Sequence, residues 1–117
     1  MNTLMVHIGT AEDALNEFIE VWQTDKPAQP INRLSFESMS GFMRAFTPKR
    51  WELLDKLKTT GKQSINGLAK TLKRNYKNVH TGIQILLELG LVKKDQQGLI
   101  YVPWDKIETH FKLGLVA

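Results

Sequence analysis

The chain has 117 residues, 42% hydrophobic and 24% charged, enough for one modest core and in the ordinary range for a folded domain. It contains no cysteine, which excludes disulfides and thiolate metal sites and fits a reducing cytoplasm. The formal net charge of +4 is unevenly spread: Lys56 to Leu87 holds seven cations and no carboxylate, and the remainder nine basic and twelve acidic residues.

A block of one sign inside a folded domain suggests an anionic partner, most commonly nucleic acid; a solvated lysine-rich face is the plain alternative. No stretch approaches the roughly 20 apolar residues of a membrane span. "MNTLMVHIGTAEDAL" has neither a basic leader nor a long apolar run, so no secretory signal and a cytoplasmic location are expected.

In chain order, "LMVHI" (Leu4 to Ile8) alternates as a short strand with Leu4, Val6 and Ile8 on one face. Thr10 can cap a helix from Ala11 to about Gln23, with an apolar stripe through Phe18 and Trp22 and an acidic face of Glu12, Asp13, Glu17 and Glu20. Pro27 and Pro30 end it in a connector. "RLSF" is a candidate second strand, and Ser38 to Phe46 a short helix.

The second half is punctuated more sharply. Thr47-Pro48 is a cap followed by proline at the first helical position; that helix carries Trp51, Leu54 and Leu57 and ends near Gly61. Ser64 can cap "INGLAKTL", where Ile65, Leu68, Ala69 and Leu72 share a face. Asn75 can cap a third helix running to Leu89, with Gly90 as its left-handed stop. "LVKKDQQGLIYV" (residues 91–102) reads as a hairpin turning at Gly98, ended by Pro103. The tail from Lys106 to Leu113 alternates and is expected to be a strand, although Trp104, Ile107, Phe111 and Leu115 also fit a helix.

The expected fold is therefore α+β and mainly helical: a winged helix-turn-helix over residues 47–103, preceded by a strand-helix extension (1–46) and followed by a tail strand (104–117). On the third helix Val79, Gly82, Ile83, Leu86 and Leu87 gather on one side and Lys77, Thr81, Gln84 and Glu88 on the other, flanked by Asn78 and His80. Gly82 on the packed side points to a close approach of another helix. Lys77, Asn78, His80, Thr81 and Gln84 are the candidate base readers, because their side chains match the donors, acceptors and methyl groups of major-groove base edges. Lys73, Arg74 and Tyr76 at the turn, with Lys93, Lys94, Gln96 and Gln97 on the hairpin, are candidate contacts to the DNA backbone.

Residues 34 to 107 closely resemble a family of small prokaryotic predicted transcriptional regulators, MarR-like winged-helix proteins often associated with toxin–antitoxin operons. The resemblance rests on "FES", "FTPKRWELL", "SINGLAKTLKRNYKNVH", "LLELGLV" and "VPWDKI". It implies a sequence-specific double-stranded DNA-binding regulator, a repressor that could act on its own promoter, with no enzymatic activity and no cofactor. The alternative is an antitoxin or adaptor whose main partner is another protein, a cognate toxin. A homodimer is expected, since one winged helix reads few base pairs; its interface would use both termini, with Phe18, Trp22, Ile107 and Phe111 buried between copies and the strands Leu4–Ile8 and Ile107–Leu113 paired across a two-fold axis.

Other chemistries have little support. His7, His80 and His110 fall in separate elements with no metal-ligand spacing, and the acidic pairs Glu17/Glu20 and Asp105/Glu108 suit a solvated face. No phosphate-binding glycine loop or nucleophile motif occurs.

Overall fold

Nine elements run through residues 2–10 and 32–111, the part of the chain that this computed structural model describes. They are β1 (Thr3–Ile8), β2 (Asn32–Phe36), α1 (Met39–Ala45), α2 (Pro48–Thr60), α3 (Ile65–Leu72), α4 (Tyr76–Glu88), β3 (Lys93–Lys94), β4 (Ile100–Tyr101) and β5 (Lys106–His110). The protein is α+β. The helix expected from Ala11 to Gln23, with Phe18 and Trp22, and the last tail residues lie outside the described residues. No helix among the described residues is long and apolar enough to cross a membrane.

The chain divides into two compact units, one drawn from residues 1–44 and 105–117, the other residues 45–104. In the first, three strands form a wholly parallel sheet in the order β2-β1-β5. Leu4, Val6 and Ile8 alternate along β1 and are all buried, as the sequence pattern requires of a strand with one packed face. Asn2 ties the start of β1 to β5: its N–H donates to Asp105 Oδ2 at 2.9 Å and its carbonyl accepts from Asp105 N–H at 2.8 Å. The alternating tail is a strand over Lys106–His110, not a helix.

One expectation is corrected here. β1 was to be an exposed edge, paired with a second copy; it is instead the middle strand, hydrogen-bonded on both sides within its own chain. Nothing in the local pattern "LMVHI" could show this, because its partners lie about 30 and 100 residues away. For the same reason the tail is not a separate appendage but belongs to the unit of the N-terminus. The sheet also makes His7 and His110 register partners on neighbouring strands. Among the described residues no cluster of three His, Asp or Glu could hold a metal ion.

The second unit follows its sequence signals closely. Thr47 Oγ1 accepts from Arg50 N–H at 3.3 Å, with Pro48 at the helix start. Ser64 Oγ accepts from Gly67 N–H at 2.9 Å, and Asn75 Oδ1 from Asn78 N–H at 3.2 Å. Each side chain satisfies one of the donors that a helix start leaves unpaired. Helix α4 ends in a Schellman motif: Gly90 at φ 79°, with Gly90 N–H on Leu87 O and Leu91 N–H on Leu86 O. The apolar pair that accompanies this motif, Leu86 and Leu91, is fully buried.

The core joins Leu53, Leu54 and Leu57 of α2, Leu68 and Ala69 of α3, Val79, Ile83 and Leu86 of α4, and Leu91, Val92 and Ile100 around the hairpin. Leu53 was absent from the expected α2 stripe, whereas Trp51, expected within it, is exposed and stacks on Phe46 at 4.8 Å. A Cβ on Gly82 would stand 2.7 Å from Leu53 Cδ1, so α4 comes close to α2 there and any larger residue would require the buried Leu53 side chain to shift. Trp104 is buried and donates its indole N–H to Gly90 O at 3.0 Å. Gln63 and Ile100 exchange backbone hydrogen bonds at 3.2 and 2.9 Å, attaching the α2–α3 connection to the hairpin.

Candidate nucleic-acid interface

Helix α4 places its side chains as the 3.6-residue period dictates. Val79, Gly82, Ile83 and Leu86 are buried; Lys77, Asn78 and Thr81 are exposed; His80 and Gln84 are half-buried at the margins. The five candidate base readers thus share the outward side of one helix. Thr81 Oγ1 donates back to Lys77 O at 3.0 Å, which restrains its rotamer. The Tyr76 and His80 rings lie 5.8 Å apart across one turn, and half of Tyr76 is exposed.

The turn before α4 is tight. Lys73 adopts φ 55° and ψ 43°, the left-handed conformation, and closes α3 through Lys73 N–H on Lys70 O (3.2 Å) and Arg74 N–H on Ala69 O (3.0 Å). Its side chain is exposed, as a phosphate contact requires. Arg74 departs from expectation. Its Nη1 donates to Lys49 O at 3.1 Å and stands 3.7 Å from Glu52 Oε2, so the guanidinium is turned toward α2.

The hairpin is short, with Lys93 opposite Tyr101 and Lys94 opposite Ile100. Asp95 organises its tip: Oδ1 accepts from Gln97 N–H and Leu99 N–H, both at 2.9 Å, and Gly98 takes φ 83°. These bonds, the one from Leu99 foremost, hold the Asp95 carboxyl below the usual aspartate range, and Lys62 at 3.5 Å adds to the effect. Lys62 also sits 4.7 Å from the centre of the Tyr101 ring. Lys93, Lys94, Gln96 and Gln97 are all exposed, with the Lys93 ammonium 5.8 Å from the Trp104 ring centre.

Lys62 and Arg74 of the acid-free block therefore have carboxylate partners, supplied from outside the block by Asp95 and Glu52. Sequence reading missed both pairs because neither spacing is a helical i, i+4 neighbour. Among the dimer candidates, Ile107 is half-buried in β5 in register with Leu4 of its own chain, and Phe111 is exposed. Phe18 and Trp22 lie outside the described residues.

The described residues thus define a small α+β protein that exposes Lys77, Asn78 and Thr81 on α4 and Lys93, Lys94, Gln96 and Gln97 on the hairpin. Residues 45–109, more than half of the chain, match the family model HVO_A0114, and the chain belongs to that family. No curated protein and no solved structure matches it.

Proposed function

We propose that the protein is a sequence-specific double-stranded DNA-binding transcriptional regulator that reads the major groove with α4 and touches the backbone with the hairpin. The observation that carries this reading is the outward side of α4, where Lys77, Asn78, Thr81 and Gln84 stand on a capped helix whose opposite side is buried. The order of α2, α3, α4 and hairpin supports it, since a winged helix-turn-helix presents the second helix of its pair to the groove. The bridge from Gln63 to Ile100 gives the hairpin a fixed seat, as a wing needs. The regulator resemblance of residues 34 to 107 points the same way.

The base readers are Lys77, Asn78, His80, Thr81 and Gln84; Lys73, Tyr76, Lys93, Lys94, Gln96 and Gln97 meet phosphate and sugar. The test is selection from random-sequence duplexes followed by anisotropy titration at several salt concentrations. With Lys73, Lys93 and Lys94 on phosphates, log affinity should fall with log salt at a slope of about −3 per chain. Failure to enrich any sequence, or binding indifferent to salt, overturns the proposal.

A further inference from the structure

We infer that Arg74 is a positioning residue that sets the attitude of α4, and is not a phosphate contact. The inference rests on the DNA-binding reading and sharpens it, because Arg74 lies in the most cationic part of the chain and sequence alone assigns it to phosphate.

Four observations meet at this residue. Its backbone N–H closes the end of α3 on Ala69 O, directly after the left-handed Lys73. Its neighbour Asn75 is the N-cap of α4. Its Nη1 reaches Lys49 O at 3.1 Å, in the first turn of α2 and 25 residues away in sequence. Its side chain is only 20% exposed, against 64% for Glu52, whose carboxylate stands 3.7 Å from the same nitrogen. The carbonyl bond is the principal one: at 3.1 Å it is the shorter contact, whereas an ion pair at 3.7 Å to so exposed a carboxylate contributes little. Lys49 O lies in the first turn of α2, and the guanidinium binds it from another element.

Arg74 thus spans from the start of α2 to the residue before the cap of α4. Those two points, with the Gly82 contact on Leu53 further along, fix the helix relative to α2 at two places. Base reading tolerates little error in helix placement, so a side chain that locks the first turn affects affinity without touching DNA. The hydrogen bond from Nη1 to Lys49 O also directs the side chain toward α2.

The experiment compares wild type, Arg74→Met and Lys94→Ala on a selected duplex. Methionine keeps an apolar stem, so the variant retains packing and loses only charge and donors. Lys94→Ala should lower the salt slope by about 0.9, the signature of a lost phosphate contact. Arg74→Met should weaken binding about tenfold, as loss of a hydrogen bond from a charged group does, while leaving the slope unchanged. A slope reduced as in Lys94→Ala, or an unchanged affinity, overturns the inference.

A second readout needs no DNA. Arg74→Met should speed hydrogen exchange of the Asn78 and Val79 amides, which bond to Asn75 in the first turn of α4, while those of α3 stay protected. Unchanged exchange at Asn78 and Val79 overturns the inference whatever DNA does, and wild type that binds no DNA in a salt-dependent way overturns only the functional reading.

Discussion

Lys73 occupies a conformation that glycine usually takes. Left-handed backbone costs a residue with a side chain about 1–2 kcal/mol, and glycine would recover that while losing roughly 0.5–1 kcal/mol to its freer unfolded chain. Lys73→Gly is therefore expected to leave stability unchanged or raise it by up to about 1.5 kcal/mol. On the DNA reading the same change should reduce the salt slope by about 0.9. A residue kept at a strained position for its charge shows both effects together; a clear loss of stability in calorimetry would disprove the conformational argument. Asp95 gives the second residue-scale prediction. Its carboxyl is held below the usual range by the N–H groups of Leu99 and Gln97 and by Lys62, so its contribution to stability is fully present above the ordinary aspartate value. It is lost as pH falls through the lowered folded-state value. Asp95→Asn should thus be less stable than wild type by a constant margin from neutral pH down to about pH 5, with the margin closing below about pH 4. Melting curves across that range check it; a margin that grows on acidification would reverse the sign.

At the scale of elements, what could be read from the sequence was what local chemistry controls. Thr47-Pro48, Ser64 and Asn75 announced three helix starts because a cap acts within three residues of itself. Gly90 announced the end of α4, and alternation from Lys106 onward favoured a strand over a helix. What could not be read was the partner of each strand. The parallel sheet joins segments from both ends of the chain, and neither "LMVHI" nor "KIETH" carries a mark of which strand it will meet. On the candidate interface the same limit applied: exposure along α4 followed from periodicity, but the turning of Arg74 toward Lys49 depends on how α2 and α4 pack. That packing is testable at Gly82. Alanine there gains about 1 kcal/mol of helix propensity, whereas a Cβ 2.7 Å from the fully buried Leu53 Cδ1 overpacks the core at a cost of about 1–3 kcal/mol. Gly82→Ala should be destabilised by about 1 kcal/mol. Combining it with Leu53→Ala, which alone costs about 2–5 kcal/mol, should give less than the sum because the new methyl enters the space vacated. Simple additivity in a double-mutant cycle would mean that the two residues do not touch.

At the scale of the whole molecule, the division into two units changes what a truncation means. Had β1 been an arm reaching to a second copy, removing residues 1–24 would have left a folded monomer. As the middle strand it holds β2 on one side and β5 on the other, so its loss leaves neither with a partner. A homodimer that extended this sheet by strand pairing would use its outer strands, β2 or β5, among the described residues. The unit of residues 45–104 has its own buried centre in Leu53, Leu57, Leu68, Val79, Ile83, Leu86 and Ile100, and about 60 residues is near the lower limit for folding alone. A charge inside the sheet distinguishes independent from cooperative units better than a deletion does. Val6 is 1% exposed in β1, and Val6→Asp buries a carboxylate there. Amides of β1 and β5 should lose hydrogen-exchange protection in this variant, while those of Val79 to Leu86 in α4 keep theirs. Binding to a selected duplex should then weaken only as far as pairing of two copies contributes, with the salt slope per chain preserved. If α4 loses protection along with the sheet, the two units fold as one, and the helix that we propose reads DNA depends on a strand more than 60 residues before it.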